Sequence, residues 1–309
     1  MKFIKYLFLF FFITGAFDGL AHISLVWQSE RKKIWEEDWL SELLMGLEYE
    51  IVDDMKFEKF IDNSIIVVVP PQEKQMIPYF KKMHELGYKF GVILLSDECY
   101  TCTTEFYKYA QFVFRNYWHK QFVDDPKVLC FALGYKSGFW NGISKSLAQS
   151  SQRPYYWSFA GQISGKPTRA TMIAHLKQVS PYYLHEIGTW MDPRSLHTYD
   201  YQILMLNSIF IPAGRGYWNM DSFRVWEALE CGCIPIVEKF PIDYFKKFLG
   251  EHPFIVIDSW DQAPFKIAKL CSDPIALEEK RQECITWWNN YKKETNKKML
   301  AIIEATLIN

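Results

Sequence analysis

The sequence predicts an α/β protein made of two tandem doubly wound domains that face a cleft. Three observations carry this reading. Short apolar runs alternate with segments of helical spacing along most of the chain, which is the signature of βαβ units and parallel sheets. Several of those runs are apolar throughout, as strands buried on both faces are. Finally, the chain has 309 residues, which at about 150 residues per domain leaves room for two cores.

Taken in order, His22-Ile-Ser-Leu-Val-Trp27 reads as a strand, residues 35–47 as a helix and Tyr49-Glu-Ile-Val52 as a second strand. The β-branched run Ser64-Ile-Ile-Val-Val-Val69 is a buried strand ended by two prolines. Residues 74–86 have helical spacing and stop at Gly87, and Phe90-Gly-Val-Ile-Leu-Leu95 is another buried strand. Phe112-Val-Phe114 and Val128-Leu-Cys-Phe131 follow at similar intervals. Residues 134–152 are polar and rich in Gly and Ser, and read as the linker. A second alternating block begins with the strand Tyr155-Tyr-Trp-Ser-Phe159 and a helix over 168–179. It continues with a strand at 208–211, a helix at 222–230, and strands at 233–237 and 254–257. Residues 278–308 carry apolar positions at Ile285, Trp288, Tyr291, Met299, Ile302 and Ile303, consistent with one or two terminal helices that pack back on the body. The expected division is 1–21, 22–150, 151–278 and 279–309.

Composition narrows the function classes. Hydrophobic residues make up 49% and charged residues 23%, so the chain is globular. Lys and Arg total 35 against 36 Asp and Glu, a balance without the basic excess of a general nucleic-acid binder. Aromatic residues reach 17%, enough that some must line a surface or cleft. The seven cysteines are odd in number and sparse, which excludes a disulfide scaffold. Cys99 and Cys102 form a lone CxxC, open to readings as incidental thiols, a disulfide, or a redox or metal pair.

The first 21 residues place Lys2 and Lys5 ahead of a 12-residue apolar run from Tyr6 to Phe17. That is short for a membrane span of about 20 residues and fits the apolar core of a signal peptide or a short signal-anchor. A buried first strand and a misassigned start remain alternatives. The first reading places the protein in a secretory pathway or cell envelope, tethered or luminal; the second places it in the cytoplasm.

Two constellations carry chemistry. In the first, a strand ends at Gly161, a loop carries Gly165 and Lys166, and a helix opens near Thr168 with Arg169 in its first turn. Glycine lets the backbone approach a ligand, and a helix N-terminus favours an anion. The loop lacks Walker A spacing, and an ordinary basic surface loop is the competing reading. In the second, a strand over 208–211 runs into Gly214-Arg215-Gly216, followed by Tyr217 and Trp218, whose rings suit donor contact or core packing equally. Ser222 is the expected N-cap of the next helix. Arg224 stands in the first turn, where a cation opposes the helix dipole unless an anion sits there too. Glu227 is three residues on and shares its face. An ordinary Arg–Glu surface pair is the alternative. Gly232 is placed to end this helix.

The stretch Ser222-Phe-Arg-Val-Trp-Glu-Ala-Leu-Glu-Cys-Gly-Cys-Ile-Pro-Ile-Val237 resembles the nucleotide-sugar-binding motif of exostosin-like glycosyltransferases, glycosyltransferase family 47. Residues 161–169 resemble the family's upstream phosphate loop more weakly. Leu95-Ser-Asp-Glu98 and Leu133-Gly-Tyr-Lys-Ser-Gly138 resemble its ribitol xylosyltransferase branch. The resemblance implies a GT-B fold, two Rossmann-like domains with the nucleotide held mainly by the second. It implies an inverting transferase that moves a sugar, xylose being one option, from a UDP-sugar to a glycan or polyol-phosphate hydroxyl. The competing reading is a nucleotide-sugar-binding or glycan-binding protein that keeps the fold without catalysis. Ser222 and Arg224 would contact the diphosphate, Glu227 the ribose and Arg169 a phosphate, with Gly161, Lys166, Gly214 and Arg215 completing the donor site. No Asp-x-Asp occurs, so no tightly held metal or other bound cofactor is expected, and Arg and Lys would neutralise the leaving diphosphate.

Inversion in one displacement needs a general base. Asp97 and Glu98 follow a buried strand at its carboxyl end and are the leading candidates; capping the next segment is the alternative. His119, His185 and His197 are weaker choices.

Overall fold

The computed structural model describes residues 22–70, 73–140, 147–189, 192–239 and 242–308. The expected signal segment lies outside these residues.

The first half is a six-stranded, wholly parallel sheet. Its strands are β1 (Ile23–Trp27), β2 (Tyr49–Asp53), β3 (Ser64–Val68), β4 (Phe90–Leu94), β5 (Val113–Arg115) and β6 (Val128–Cys130), in the order β2-β1-β3-β4-β5-β6. β1, β3 and β4 are buried along their whole length, because helices α1 (Glu37–Leu43) and α2 (Glu73–Glu85) belong to crossovers that cover a parallel sheet. The edge strand β2 is half-exposed.

The second half is a five-stranded parallel sheet ordered β11-β10-β9-β7-β8. It comprises β7 (Tyr155–Gln162), β8 (Tyr182–Ile187), β9 (Ser208–Pro212), β10 (Ile234–Glu238) and β11 (Ile255–Ile257). Around it lie α3 (Pro167–Leu176), α4 (Thr198–Leu206), α5 (Phe223–Glu230), α6 (Tyr244–Leu249) and α7 (Ala263–Cys271). The architecture is the two-sheet α/β fold that the sequence predicts. β8, α4, α6 and α7 went unread in the sequence. β8 is an outer strand whose polar His185 and Glu186 break the apolar run.

A single helix, α8 (Pro274–Ile303), ends the description of the body. It starts earlier than the sequence suggests, because Asp273 caps it, accepting from the amides of Ile275 (3.0 Å) and Ala276 (3.1 Å). The helix touches both halves. Arg281 donates to the Gly232 carbonyl of the second half, and Tyr291 Oη accepts from the Ala132 amide of the first at 2.8 Å. Trp288 stacks on Trp39 of α1 at 5.3 Å and packs on Trp226 of α5 at 5.2 Å. Lys292 pairs with Glu230 of α5 at 2.7 Å and Glu42 of α1 at 3.2 Å.

Strand order reverses on either side of β1 in the first sheet and of β7 in the second. Ligands of open α/β sheets bind outside the carboxyl ends of strands at such points. The segments that leave β7 and β9 are those with the two glycine-bearing loops.

Candidate active site

The second-half side of the cleft is built at the switch point between β7 and β9. β7 ends at Gly161, which has a φ of +150°. A side chain there would bring its Cβ to 3.2 Å from Nη2 of Arg224 and 3.4 Å from the Phe159 ring. Glycine keeps that space open for the guanidinium.

Arg169 stands in the first turn of α3. Its Nη1 donates to the Gln162 carbonyl (3.1 Å) and its Nη2 to the Arg215 carbonyl (3.0 Å), so it joins the two loops. Its Nε is buried and has no partner. Arg224, in the first turn of α5, donates from Nε to Tyr201 Oη (3.0 Å) and from Nη2 to the Ala160 carbonyl (3.2 Å), and lies 4.6 Å from the centre of the Phe159 ring. Burial, and then the positive charge of Arg224, push Arg169 down to about 10. Two cations therefore face one region, and among the described residues no carboxylate forms an ion pair with either. Ser222 precedes α5 in extended conformation but does not cap it; its Oγ is buried and unpartnered. A buried hydroxyl and a buried N–H without partners each carry a desolvation cost of about 1–3 kcal/mol, and both lie at the starts of the helices that follow the glycine-bearing loops.

The remaining predicted donor residues are distributed as follows. Gly214 packs over Met172 and Arg169. Lys166 Nζ lies 4.2 Å from the Tyr217 ring, and Tyr217 and Trp218 are 75% and 60% exposed, which removes them from the core. The charge of Arg215 acts weakly on Glu238 at the end of β10, with no ion pair between the two among the described residues. Glu227 is buried and its Oε1 accepts from the Lys136 amide of the first half at 3.3 Å; burial pushes its carboxyl up to about 7. It is an interface residue, not a member of an exposed Arg–Glu pair.

The structure corrects one of the two carboxylates expected to serve as general base. Asp97 is buried, and both of its oxygens are engaged. Oδ1 accepts from the amides of Thr101 (2.9 Å) and Cys102 (3.2 Å), and Oδ2 from Arg115 Nη2 (2.9 Å). It shapes its own loop and leaves no oxygen for a substrate. Glu98 does reach the cleft, but its Oε1 accepts from the Trp218 amide (2.7 Å) and the Asn219 amide (3.1 Å) of the opposite loop. Gly216 permits this approach, since a Cβ there would lie 2.7 Å from the same oxygen. His119 accepts from the Gln121 amide, and His185 bonds the Arg194 carbonyl; both are local contacts. His197 lies before α4. Cys99 and Cys102 are not joined in a disulfide.

Three buried polar residues near the contact between the two halves escaped sequence reasoning. Asp221 is buried, accepts from Trp226 Nε1 at 2.6 Å, and is pushed up to about 7 by burial. Glu36 is buried and accepts at Oε1 from Ser96 Oγ (2.6 Å) and Asn116 Nδ2 (3.1 Å). Asn116, its partner, follows β5. Glu36 stands in a charged run that reads as a helix opening, and its partners are 60 and 80 residues away, so no local pattern marks it.

Comparison with known proteins places this geometry. A family model described as the RXYLT1 C-terminal domain matches residues 137–308. Ribitol-5-phosphate xylosyltransferase 1 of Homo sapiens is 26% identical over 181 residues, 51% of this chain and 39% of that protein, so the chain matches about two fifths of the length of this relative. Among solved structures, an α1,3-fucosyltransferase superposes with a TM-score of 0.57 at 12% identity, over 93% of this chain and 90% of that one. A DNA-modifying β-glucosyltransferase, solved in the presence and absence of uridine diphosphoglucose, gives 0.53 at 11% identity, over 92% of this chain and 99% of that one. At these identities the likeness is one of fold, the GT-B arrangement of two parallel-sheet domains. With the matched segment covering more than half of its length, the chain belongs to the RXYLT1 C-terminal domain family.

Proposed function

We propose that the protein is an exostosin-like inverting glycosyltransferase that takes a UDP-sugar as donor and transfers the sugar, xylose first among the options, to a glycan or polyol-phosphate hydroxyl. The observation that carries this is the set formed by Ser222 Oγ and Arg169 Nε, buried and unpartnered, beside the guanidiniums of Arg169 and Arg224 at the starts of α3 and α5. An anion with several acceptor oxygens is the kind of ligand such groups bind, and two helix N-termini favour the same charge. A diphosphate fits this requirement. The relative's name, a xylosyltransferase acting on ribitol 5-phosphate, supports the choice of donor sugar and acceptor class.

In this reading the acceptor hydroxyl attacks the anomeric carbon as the bond from that carbon to the diphosphate oxygen breaks. The electron pair leaves with UDP. Arg169, Arg224 and Ser222 stabilise the charge that develops there, and stabilisation that grows with charge lowers the barrier. Lys166 and Arg215 flank the same loops, and Glu227, one turn along α5, would take the ribose only with the oxygen that does not accept from the Lys136 amide. A retained N-terminal segment would tether the enzyme in a secretory lumen or cell envelope.

A panel of UDP, GDP, CMP and NAD tested by calorimetry, followed by a UDP-sugar screen beginning with UDP-xylose and ribitol 5-phosphate, tests the proposal. Selective binding of UDP and release of UDP with acceptor present support it; a folded protein that binds none of the nucleotides removes its basis.

A further inference from the structure

We propose that Glu36 is the general base, taking the proton of the acceptor hydroxyl on its Oε2. The proposal deepens the transferase reading and rests on it.

Position is the first argument. Glu36 leaves the carboxyl-end side of β1, the strand on whose two sides the first sheet reverses. Its partners Ser96 and Asn116 follow β4 and β5. Its neighbours along the chain and in space both reach the donor half. Trp35 meets the edge of Phe223, the residue between Ser222 and Arg224, with ring centres 6.0 Å apart. Ser96 leads through Asp97 to Glu98, which bonds the amides of Trp218 and Asn219. The carboxylate thus stands between two contacts that cross the cleft, on the acceptor side of the Ser222–Arg224 segment.

Unmet hydrogen bonding is the second. Ser96 Oγ and Asn116 Nδ2 both donate to Oε1, which orients the carboxylate. Glu36 Oε2 is buried with no well-formed hydrogen bond, and so is Asn116 Oδ1, although the backbone amides of Glu36 and Ser96 lie close enough to act on the carboxyl. Each residue of this bonded pair therefore keeps one buried acceptor without a well-aligned donor. A hydroxyl group supplies what is missing, and an acceptor hydroxyl is the group the reaction must bring.

Backbone strain is the third. Ser96 has a φ of +59° and Tyr117, next to Asn116, also +59°. Non-glycine residues in this region are strained and concentrate at functional sites. Here one is Ser96 itself and the other adjoins Asn116, the two residues that aim Glu36.

Burial raises the Glu36 carboxyl above its ordinary value, against the hydrogen bonds from Ser96 and Asn116, which brings a carboxylate nearer the range useful for proton abstraction. The titratable groups around it are Tyr117, on which Glu36 acts electrostatically, and beyond it Glu98, Asp221 and Tyr100, which act on the same tyrosine. In the step, the acceptor O–H bond breaks and its proton passes to Glu36 Oε2. The acceptor oxygen bonds the anomeric carbon, and UDP departs with the electron pair of the broken glycosyl bond.

The test compares wild type, Glu36→Gln, Glu36→Asp and Glu98→Gln. It measures UDP affinity by calorimetry, melting temperature, and the pH profile of UDP release from the UDP-sugar the screen selects, with its acceptor. Gln is isosteric, keeps an acceptor for Ser96 and is neutral, so Glu36→Gln is expected to fold and to bind UDP as wild type does. Its turnover is expected to fall by about 10²–10⁴-fold, the usual contribution of a general base. The wild-type acidic limb is expected above the ordinary carboxylate range and to disappear in Glu36→Gln. Glu36→Asp, which keeps the carboxylate but shortens its reach, is expected to lose rate yet keep an acidic limb. Glu36→Gln turnover within a few-fold of wild type, or the limb disappearing in Glu98→Gln instead, overturns the assignment while leaving the transferase reading intact. If Glu36→Gln fails to fold, full rate in Glu36→Asp overturns it equally. Wild type that binds no UDP removes the transferase reading and this proposal together.

Discussion

Glu98 Oε1 accepts a 2.7 Å hydrogen bond from the Trp218 amide, so a carboxylate of the first half holds the glycine-rich loop of the second. The Asn219 amide donates to the same oxygen. Hydrogen bonds to a charged group contribute about 1.5–3 kcal/mol when well shielded, and this pair is partly exposed, so the lower end applies. Glu98→Ala is expected to leave the fold intact and speed hydrogen exchange at the Trp218 and Asn219 amides by about tenfold, since each 1.4 kcal/mol is one factor of ten. Gly216→Ala, whose Cβ would meet the same oxygen, is expected to do likewise. Unchanged exchange in both variants would mean that the latch does not order the loop.

Lys292 is the corresponding tie on the far side of the molecule. Burial pulls its ammonium down, but Glu230 and Glu42 outweigh this and leave it above its ordinary value. Glu230 is buried, so removing the ammonium takes away a charge 2.7 Å from it that offsets the cost of its burial. Lys292→Met is expected to destabilise the protein by about 3–5 kcal/mol, read from denaturant unfolding. Deleting residues 279–309 removes this tie together with Arg281, Trp288 and Tyr291, and is expected to destabilise both halves. A truncated protein with unchanged melting temperature would contradict the placement of α8 as a brace.

Asp221 gives a pH dependence of stability. Burial raises its carboxyl to about 7, against about 3.9 in an unfolded chain. Between these values the folded state holds a proton that the unfolded state has lost, so stability is full below about pH 4 and declines as pH rises through about 7. At about 1.4 kcal/mol per unit, the loss is on the order of 4 kcal/mol. Glu227, also raised to about 7, adds in the same direction. Asp221→Asn keeps an acceptor for Trp226 Nε1 and is expected to flatten this decline between about pH 4 and 7, leaving the Glu227 share. An unaltered pH profile in the variant would show that Asp221 is ionised in the folded protein.

Much of this architecture was legible in the sequence, and the exceptions have physical causes. β3 and β4 announce themselves because both faces are covered, so every residue is apolar. β8 does not, because an outer strand tolerates His185 and Glu186. Arg224 was readable because a cation in the first turn of a helix is locally unfavourable and asks for an explanation within a few residues. Asp97 misled for the opposite reason. Its position at a strand exit suggests a catalytic acid or base, but its partner Arg115 lies on β5, 18 residues away, and only pairing of β4 with β5 brings them together. Glu36 depends on the same pairing, since Ser96 and Asn116 converge on it only when the sheet forms.

The central claim is that Arg169, Ser222 and Arg224 hold a diphosphate. The measurement that tests it most directly is a calorimetric titration of the protein with UDP, beside Arg224→Ala. The variant removes one of two neighbouring cations together with its bonds to Tyr201 and Ala160, so its melting temperature is measured beside it, and in the folded variant UDP affinity is expected to fall by about 10–100-fold, the effect of about 1.5–3 kcal/mol from charged hydrogen bonds. Selective UDP binding that weakens in this way is the predicted result. Equal UDP affinity in the folded variant and wild type would contradict the account.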